Sequence, residues 1–138
     1  MQHDAFIGQV QDRARLASRG DAEGATRATL ETLGERIPEQ VADHLAGQLP
    51  REIGEHLRRT EVFGGAGTGE RFGLDEFVHR VSSRSGFDEP QATYAARVVF
   101  EVLREATQGG VMDHVRDTLT DDLLVLVDAG SSGDMRRS

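Results

Sequence analysis

The stretch that decides the fold is "ARVVFEVLRE", residues 96–105. It matches "TRATLETLGE", residues 26–35, at an offset of 70 residues. The matched positions include Arg27 with Arg97, Glu31 with Glu101, Leu33 with Leu103 and Glu35 with Glu105. A match of this length and spacing indicates one structural unit that occurs twice in the chain.

The match continues on both sides of this stretch. "DAFIGQV" (4–10) corresponds to "DEFVHRV" (75–81), and "VADHLAGQLP" (41–50) corresponds to "VMDHVRDTLT" (111–120). Nearly every apolar position in one copy has an apolar counterpart in the other. We therefore predict a single helical domain over 1–130, with repeats at 3–59 and 74–129. A Gly-rich linker (60–73) joins the repeats, and a flexible tail (131–138) follows them.

The apolar residues of each copy recur at helical spacing. Phe6, Ile7 and Val10 fall at i, i+1 and i+4, and no alternating strand pattern exceeds four residues. Long helices are expected near 21–36 and 89–106, the second capped by Asp88. The sequence predicts an all-α fold of about eight helices, in which two tandem four-helix units pack with approximate two-fold pseudosymmetry.

Two segments of the second copy are apolar around most of the helix circumference. These are "ATYAARVVFEVL" (92–103) and "LLVLV" (123–127). A helix that is apolar on all sides belongs in the centre of a structure or at an interface. We therefore expect helices 89–106 and 121–128 to lie between the two halves or at a dimer seam.

The composition excludes several classes of function. The net charge is −8, whereas proteins that bind nucleic acid or anionic membranes normally carry a basic face. The sequence contains no lysine and no cysteine, which excludes Schiff-base and thiolate chemistry. No apolar run approaches the roughly 18 residues of a transmembrane helix. The first ten residues do not resemble a signal peptide, so a cytoplasmic location is expected.

The repeated pattern resembles domain-of-unknown-function family 2267. The residues that carry the resemblance in the first copy are Phe6, Val10, Arg27, Leu30, Leu33, Leu45, Gln48, Leu49 and Pro50. Those in the second copy are Phe77, Val81, Arg97, Phe100, Leu103, Val115 and Leu119. In the second copy, "TLTDDL" stands where the first copy has the "QLPxEI" pattern. The resemblance implies a small helical bacterial or archaeal protein without an established activity, and it supplies no catalytic residues.

The repeat contains a matched Asp-His pair, Asp43-His44 and Asp113-His114. Each aspartate lies about 100° around the helix from its histidine, so neither pair can clamp one ion locally. Each histidine borders an apolar stripe, which favours a role at the edge of the packing. Packing about a two-fold axis would bring His44 and His114 together, which leaves open a shared metal site or a pH-sensitive site.

The repeat also contains a matched arginine. Apolar residues flank Arg97, so we expect it to be partly buried and to bind a carboxylate or the carbonyls of a helix C-terminus. Arg27 holds the same position in the first copy. The alternative for Arg27 and Arg97 is recognition of an anionic ligand or of a carboxylate on a partner.

No catalytic constellation, metal-ligand spacing or nucleotide-binding loop emerges from the sequence, and no cofactor is expected. The leading hypothesis is a non-catalytic cytoplasmic helical protein that binds a protein partner or forms a homodimer. The alternative is a protein that binds a small ligand or a metal in a cleft between the two repeats.

Overall fold

The computed structural model describes residues 1–62 and 71–132. These residues form eight α-helices and no β-strand, so the prediction of an all-α fold with about eight helices is confirmed. The helices are α1 (His3–Arg13), α2 (Arg19–Arg36), α3 (Glu39–Ala46), α4 (Arg51–Val62), α5 (Leu74–Ser85), α6 (Glu89–Ala106), α7 (Val111–Asp117) and α8 (Asp121–Ala129). None of these eight helices has the length and apolarity needed to cross a bilayer.

Side-chain caps set where the two long helices begin. The Asp88 carboxylate accepts a hydrogen bond from the Gln91 backbone N–H, and α6 spans 89–106 as predicted. α2 begins at Arg19, two residues before the predicted start, because the Ser18 hydroxyl accepts from the Asp21 N–H. Gly20 and Asp21, which the sequence placed at the start of the helix or in the turn before it, therefore both lie within α2.

The two long helices form the centre of the fold. α2 packs against α1, α4, α5 and α6, while α6 packs against α1, α2, α5 and α8. The expectation that α6 lies between the two halves of the chain is therefore correct. α8 packs chiefly against α6, within its own half, so the expectation that it also lies between the halves is wrong. The other expectation for α8, a seam between two copies of the protein, stays a prediction.

The position of α8 follows from how its apolar run is divided between two faces. Leu123, Leu126 and Val127 are buried, whereas Val125 is 68% exposed. Five consecutive apolar residues must cover more than one side of a helix, since each residue is turned about 100° from the last. Only one of those sides packs against α6.

α2 is buried although its sequence is rich in threonine. Thr26, Thr29 and Thr32 are each 0% exposed. The Thr32 hydroxyl donates to the Ala28 carbonyl at 2.8 Å, which satisfies it within the helix. The Thr26 and Thr29 hydroxyls have no hydrogen-bond partner among the described residues. The methyl groups of these threonines thus take part in the core, which also contains most of the aliphatic residues.

The short helices differ between the two halves. In the first half, α3 lies close against α4 at Gly54, where an added Cβ would come within 2.7 Å of the Ala46 carbonyl oxygen. The matching residue in the second half is Leu124, and the backbones of α7 and α8 do not pack as closely. These two helices are joined instead by an ion pair of 2.7 Å between Arg116 and Asp128. α3 and α7 also pack against each other, which joins the two halves at this end of the molecule.

Both predicted flexible segments fall mainly on residues 63–70 and 133–138, which lie outside the described residues. Residues 60–62, assigned to the linker, continue α4 as far as Val62. Gly130, just before the predicted tail, and Ser132 within it accept hydrogen bonds from Arg97 on α6. The flexibility of the two segments stays a prediction.

Candidate functional site

The two matched histidines come together where α3 contacts α7. The ring centroids of His44 and His114 are 6.0 Å apart, and the ring planes are inclined by 55°. Leu45 and Val115, the next residue along each helix, are fully buried and fix the two backbones. Both histidines are exposed. The pair is therefore a surface feature held in place by the core directly beneath it.

The aspartates beside these histidines point elsewhere. Asp43 is exposed and accepts a hydrogen bond from Arg58 Nε at 3.4 Å, and Asp113 is also exposed. Since each aspartate is turned about 100° from its histidine, neither joins the pair of rings. The repeated Asp-His dipeptide is therefore two separate features, of which only the histidines meet.

Arg97 is the buried member of the matched arginine pair, with 5% exposure. Its Nε donates to the Gly130 carbonyl at 3.1 Å and its Nη2 to the Ser132 carbonyl at 2.9 Å. The Tyr94 hydroxyl donates to the Ser131 carbonyl at 2.8 Å, between those two contacts. Of the two predicted kinds of partner, a carboxylate or helix C-terminal carbonyls, these contacts are with carbonyls that follow α8.

Arg27 is exposed, unlike its counterpart. It makes no hydrogen bond or ion pair with any residue that the structure describes. It borders a polar groove of about 440 Å³ between α1, α2 and α4. The groove is lined by His3, Ile7, Gly20, Glu23, Gly24, Arg27, Glu52, Glu55 and His56. All of these residues belong to the first half, so this groove is not a cleft between the repeats.

A second matched pair of arginines, Arg13 and Arg84, was missed in the sequence. Arg13, on α1, donates two hydrogen bonds of 2.8 Å to the Glu105 carboxylate and one of 3.1 Å to Glu101. Both glutamates lie on α6, in the other half of the chain. The hydrogen bond from Arg13 lowers the pKa of Glu105 below its usual value.

Arg84 makes the equivalent contacts in the opposite direction, from α5 to α2. Its guanidinium donates to Glu35 at 2.7 Å and to the Thr32 hydroxyl at 2.8 Å, and Nε lies 4.0 Å from Glu31. Burial disfavours ionisation of Glu35, but Arg84 and Arg80 outweigh it and lower the pKa of Glu35. Glu35 and Glu105, one matched pair of the repeat, thus each bind arginines from the other half, and these arginines lower the pKa of both carboxyl groups.

The sequence contained a signal for these contacts. Arg13 and Arg84 are related by the same 71-residue offset that relates "DAFIGQV" to "DEFVHRV". They lie three residues beyond Val10 and Val81, where the apolar match stops. Continuing the match past Val10 and Val81 shows that Arg13 has a duplicate in Arg84, though not which glutamate each arginine binds.

The polar groups that the repeat duplicates thus serve mainly to connect helices. In the described part of the chain, no cluster of three or more histidine, aspartate or glutamate side chains is arranged to hold a metal ion. Among the described residues, the side chains of His44, His114 and Arg27 make no such connection between helices.

Comparison with protein families gives a match over residues 3–126, to a family described as "Uncharacterized conserved protein (DUF2267)". The chain belongs to the DUF2267 family. Since the match covers nearly the whole chain, the resemblance seen in the repeated motifs is confirmed. The family description names no activity for DUF2267 proteins. A comparison with curated proteins finds no match.

Proposed function

We propose that the two halves are tandem copies of a four-helix unit, related by an approximate two-fold axis. The contacts between helices support this, since α1–α2 corresponds to α5–α6, α2–α4 to α6–α8, and α2–α5 to α6–α1. The contacts of Arg13 with α6 and of Arg84 with α2 correspond in the same way. Under this relation the surfaces of the two halves can be compared position by position.

We infer that the protein is a non-catalytic, cytoplasmic helical module that binds another protein through the outer face of α8. The supporting observation is Val125, which is 68% exposed. The same position in the first half is Glu55, which is exposed and forms an ion pair with Arg51. One half thus has a solvated polar residue where the other has an exposed valine, with the partly exposed Leu124 next to it.

The charge around Val125 indicates what kind of partner fits. Asp121 lies four residues earlier, on the same side of α8, and is exposed. The whole chain carries a net charge of −8, which opposes the approach of a second copy. We therefore propose a different protein, with an apolar contact surrounded by basic side chains, as the partner. Self-association is the competing outcome.

A photo-crosslinking residue placed at position 125, in full-length protein in its native cells, tests this proposal. The matched control carries the same residue at position 55. We expect one protein to be crosslinked from position 125 and not from position 55. The purified partner should bind the wild-type chain, and Val125→Asp should weaken that binding at least tenfold.

Two results would overturn the proposal. One is a partner whose affinity for the Val125→Asp variant equals that for the wild type. The other is crosslinking at position 125 only to further copies of the chain, with dimers in sedimentation, which would establish self-association instead. Arg51→Ala, on the outer face of α4, serves as the surface variant that should leave partner affinity unchanged.

A second candidate function is binding of a small ligand or metal between the two halves. The observation that favours it is the 6.0 Å separation of the His44 and His114 rings.

A further inference from the structure

We propose that His44 and His114 together bind one divalent transition-metal ion of the Zn²⁺, Cu²⁺ or Ni²⁺ type, at the contact between α3 and α7. This inference does not depend on the partner-binding proposal, because it concerns a different surface and rests on different residues. It starts from the separation of the two imidazole rings.

The ring separation fits a shared ion. When two imidazoles bind one ion with metal–nitrogen distances of about 2.0–2.1 Å, their ring centroids lie about 5–6 Å apart. The centroids of His44 and His114 are 6.0 Å apart, at the upper end of that range. The 55° inclination of the rings shows that they do not stack face to face. The distance between the rings is therefore compatible with one nitrogen from each ring binding a common ion.

The ring nitrogens are available for an ion. Neither His44 nor His114 donates or accepts a side-chain hydrogen bond with any described residue, and both are exposed. Neutral imidazole is a favoured ligand of Zn²⁺, Cu²⁺ and Ni²⁺, whereas Ca²⁺ and Mg²⁺ prefer oxygen ligands. The chemistry of the pair therefore selects transition metals.

The backbones that carry the two rings are held firmly. Ala42 and Leu45 on α3 and Val111 and Val115 on α7 are at most 1% exposed. The rings thus start near each other, so binding does not require two mobile segments to be ordered. Only two protein ligands are present, so water completes the coordination and the site exchanges its ion readily.

Metal binding at this place connects the two halves of the chain. α3 belongs to the first half and α7 to the second, so an ion held by both stabilises their contact. A ligand that binds only the folded state raises stability with its concentration. The melting temperature should therefore increase as Zn²⁺, Ni²⁺ or Cu²⁺ is added, and Mg²⁺ should have no such effect.

The test uses the full chain, purified without a polyhistidine tag and freed of metal. Calorimetric titration with Zn²⁺ and Ni²⁺ gives the stoichiometry, and electron paramagnetic resonance of the Cu²⁺ form reports how many nitrogen atoms bind the ion. We expect one ion per chain and two nitrogen ligands. His44→Ala and His114→Ala should each weaken binding at least tenfold and leave one nitrogen ligand.

His79→Ala is the matched control, because His79 is an exposed histidine on α5, distant in sequence from both rings. It should change the affinity by less than twofold. Since His44 and His114 are exposed, their alanine variants should fold, and circular dichroism without metal checks this. His44→Gln provides a second variant that keeps the size and polarity of the side chain.

Three outcomes would overturn the inference. These are the absence of stoichiometric binding, binding that persists in both single variants, and a stoichiometry of one ion per two chains accompanied by dimers. The last outcome would show that histidines from two different chains bind the ion, and that His44 and His114 of one chain do not bind it together.

Discussion

Replacing Arg84 with methionine should destabilise the protein more than the same change at Arg13. Methionine keeps much of the side-chain volume and removes the charge and the donors. Arg84 binds Glu35 and lies 4.0 Å from Glu31, and the side chains of these two glutamates are each only 15% exposed. Arg13 binds Glu105, whose side chain is 48% exposed and can be hydrated after the change. Its other partner, Glu101, is 24% exposed and keeps a hydrogen bond from the Ser131 hydroxyl.

The expected magnitudes follow from this difference in exposure. Loss of one partner of an exposed ion pair costs about 1 kcal/mol or less, and loss of one partner of a buried pair costs about 3–5 kcal/mol. Glu35 keeps Arg80 at 3.0 Å, which reduces the cost at Arg84. We expect a loss of about 2–3 kcal/mol for Arg84→Met and about 1 kcal/mol for Arg13→Met. Urea denaturation at neutral pH measures both.

The difference in unfolding free energy between the wild type and Arg84→Met should also depend on pH. The pKa of Glu35 is lower in the folded protein than its ordinary value of 4.5. Such a carboxyl stabilises the folded state above its unfolded pKa, and this contribution is lost as the pH falls through the folded pKa. The stability gap between wild type and Arg84→Met should therefore be constant near neutrality and narrow below about pH 4.5.

A double-mutant cycle with Glu35→Gln isolates the pair from other effects of the substitution. The reasoning is refuted if Arg13→Met lowers the free energy of unfolding as much as Arg84→Met does. It is also refuted if the stability difference between wild type and Arg84→Met is the same at the lowest pH at which both are folded as it is at neutral pH. Either result would mean that the lost stability comes from packing of the arginine stem, with little contribution from its charge.

Two further comparisons use positions that differ between the halves. Arg97→Met should cost about 2–3 kcal/mol in urea denaturation, since it removes charge-assisted hydrogen bonds made by an arginine that is only 5% exposed. Arg27→Met should stay within about 0.5 kcal/mol, and equal effects would contradict the assignment of Arg97 as an anchor. Gly54→Ala should lower stability by about 1–3 kcal/mol, because the new methyl group would lie 2.7 Å from the Ala46 carbonyl. Gly24→Ala, within α2 and with no atom within 4 Å of the added carbon, should raise stability by up to about 1 kcal/mol. A thermal melt that ranks the two glycine variants in the opposite order would show that α3 can move away from α4 without loss.

The sequence predicted the helices well because the signals for them are local. Capping by Asp88 and the apolar spacing at Phe6 and Val10 depend on residues within one or two turns. The duplication then shows the same local signals a second time, about 70 residues later. The duplication also predicted that His44 and His114 would approach each other if the two copies packed symmetrically. The two rings do lie close together, with their centroids 6.0 Å apart.

The arrangement of the helices was predicted less well, for two physical reasons. Apolarity alone indicated α8 as a central helix, but a short helix packs on one side and leaves Val125 exposed. Conversely, Thr26 and Thr29 count as polar in a hydropathy pattern although they are fully buried. The partners of Arg13 and Arg84 depend on contacts between distant segments, and no local pattern specifies them.

The exchange of arginines and glutamates between the halves has a consequence during synthesis. Glu31 and Glu35 leave the ribosome with the first half of the chain, before Arg80 and Arg84 have been translated. Domains generally fold as units, and until α5 has emerged, the face of α2 that carries these carboxylates lacks the helix against which it packs. The first half therefore completes its packing only after α5 has emerged, which delays folding until most of the polypeptide has been made.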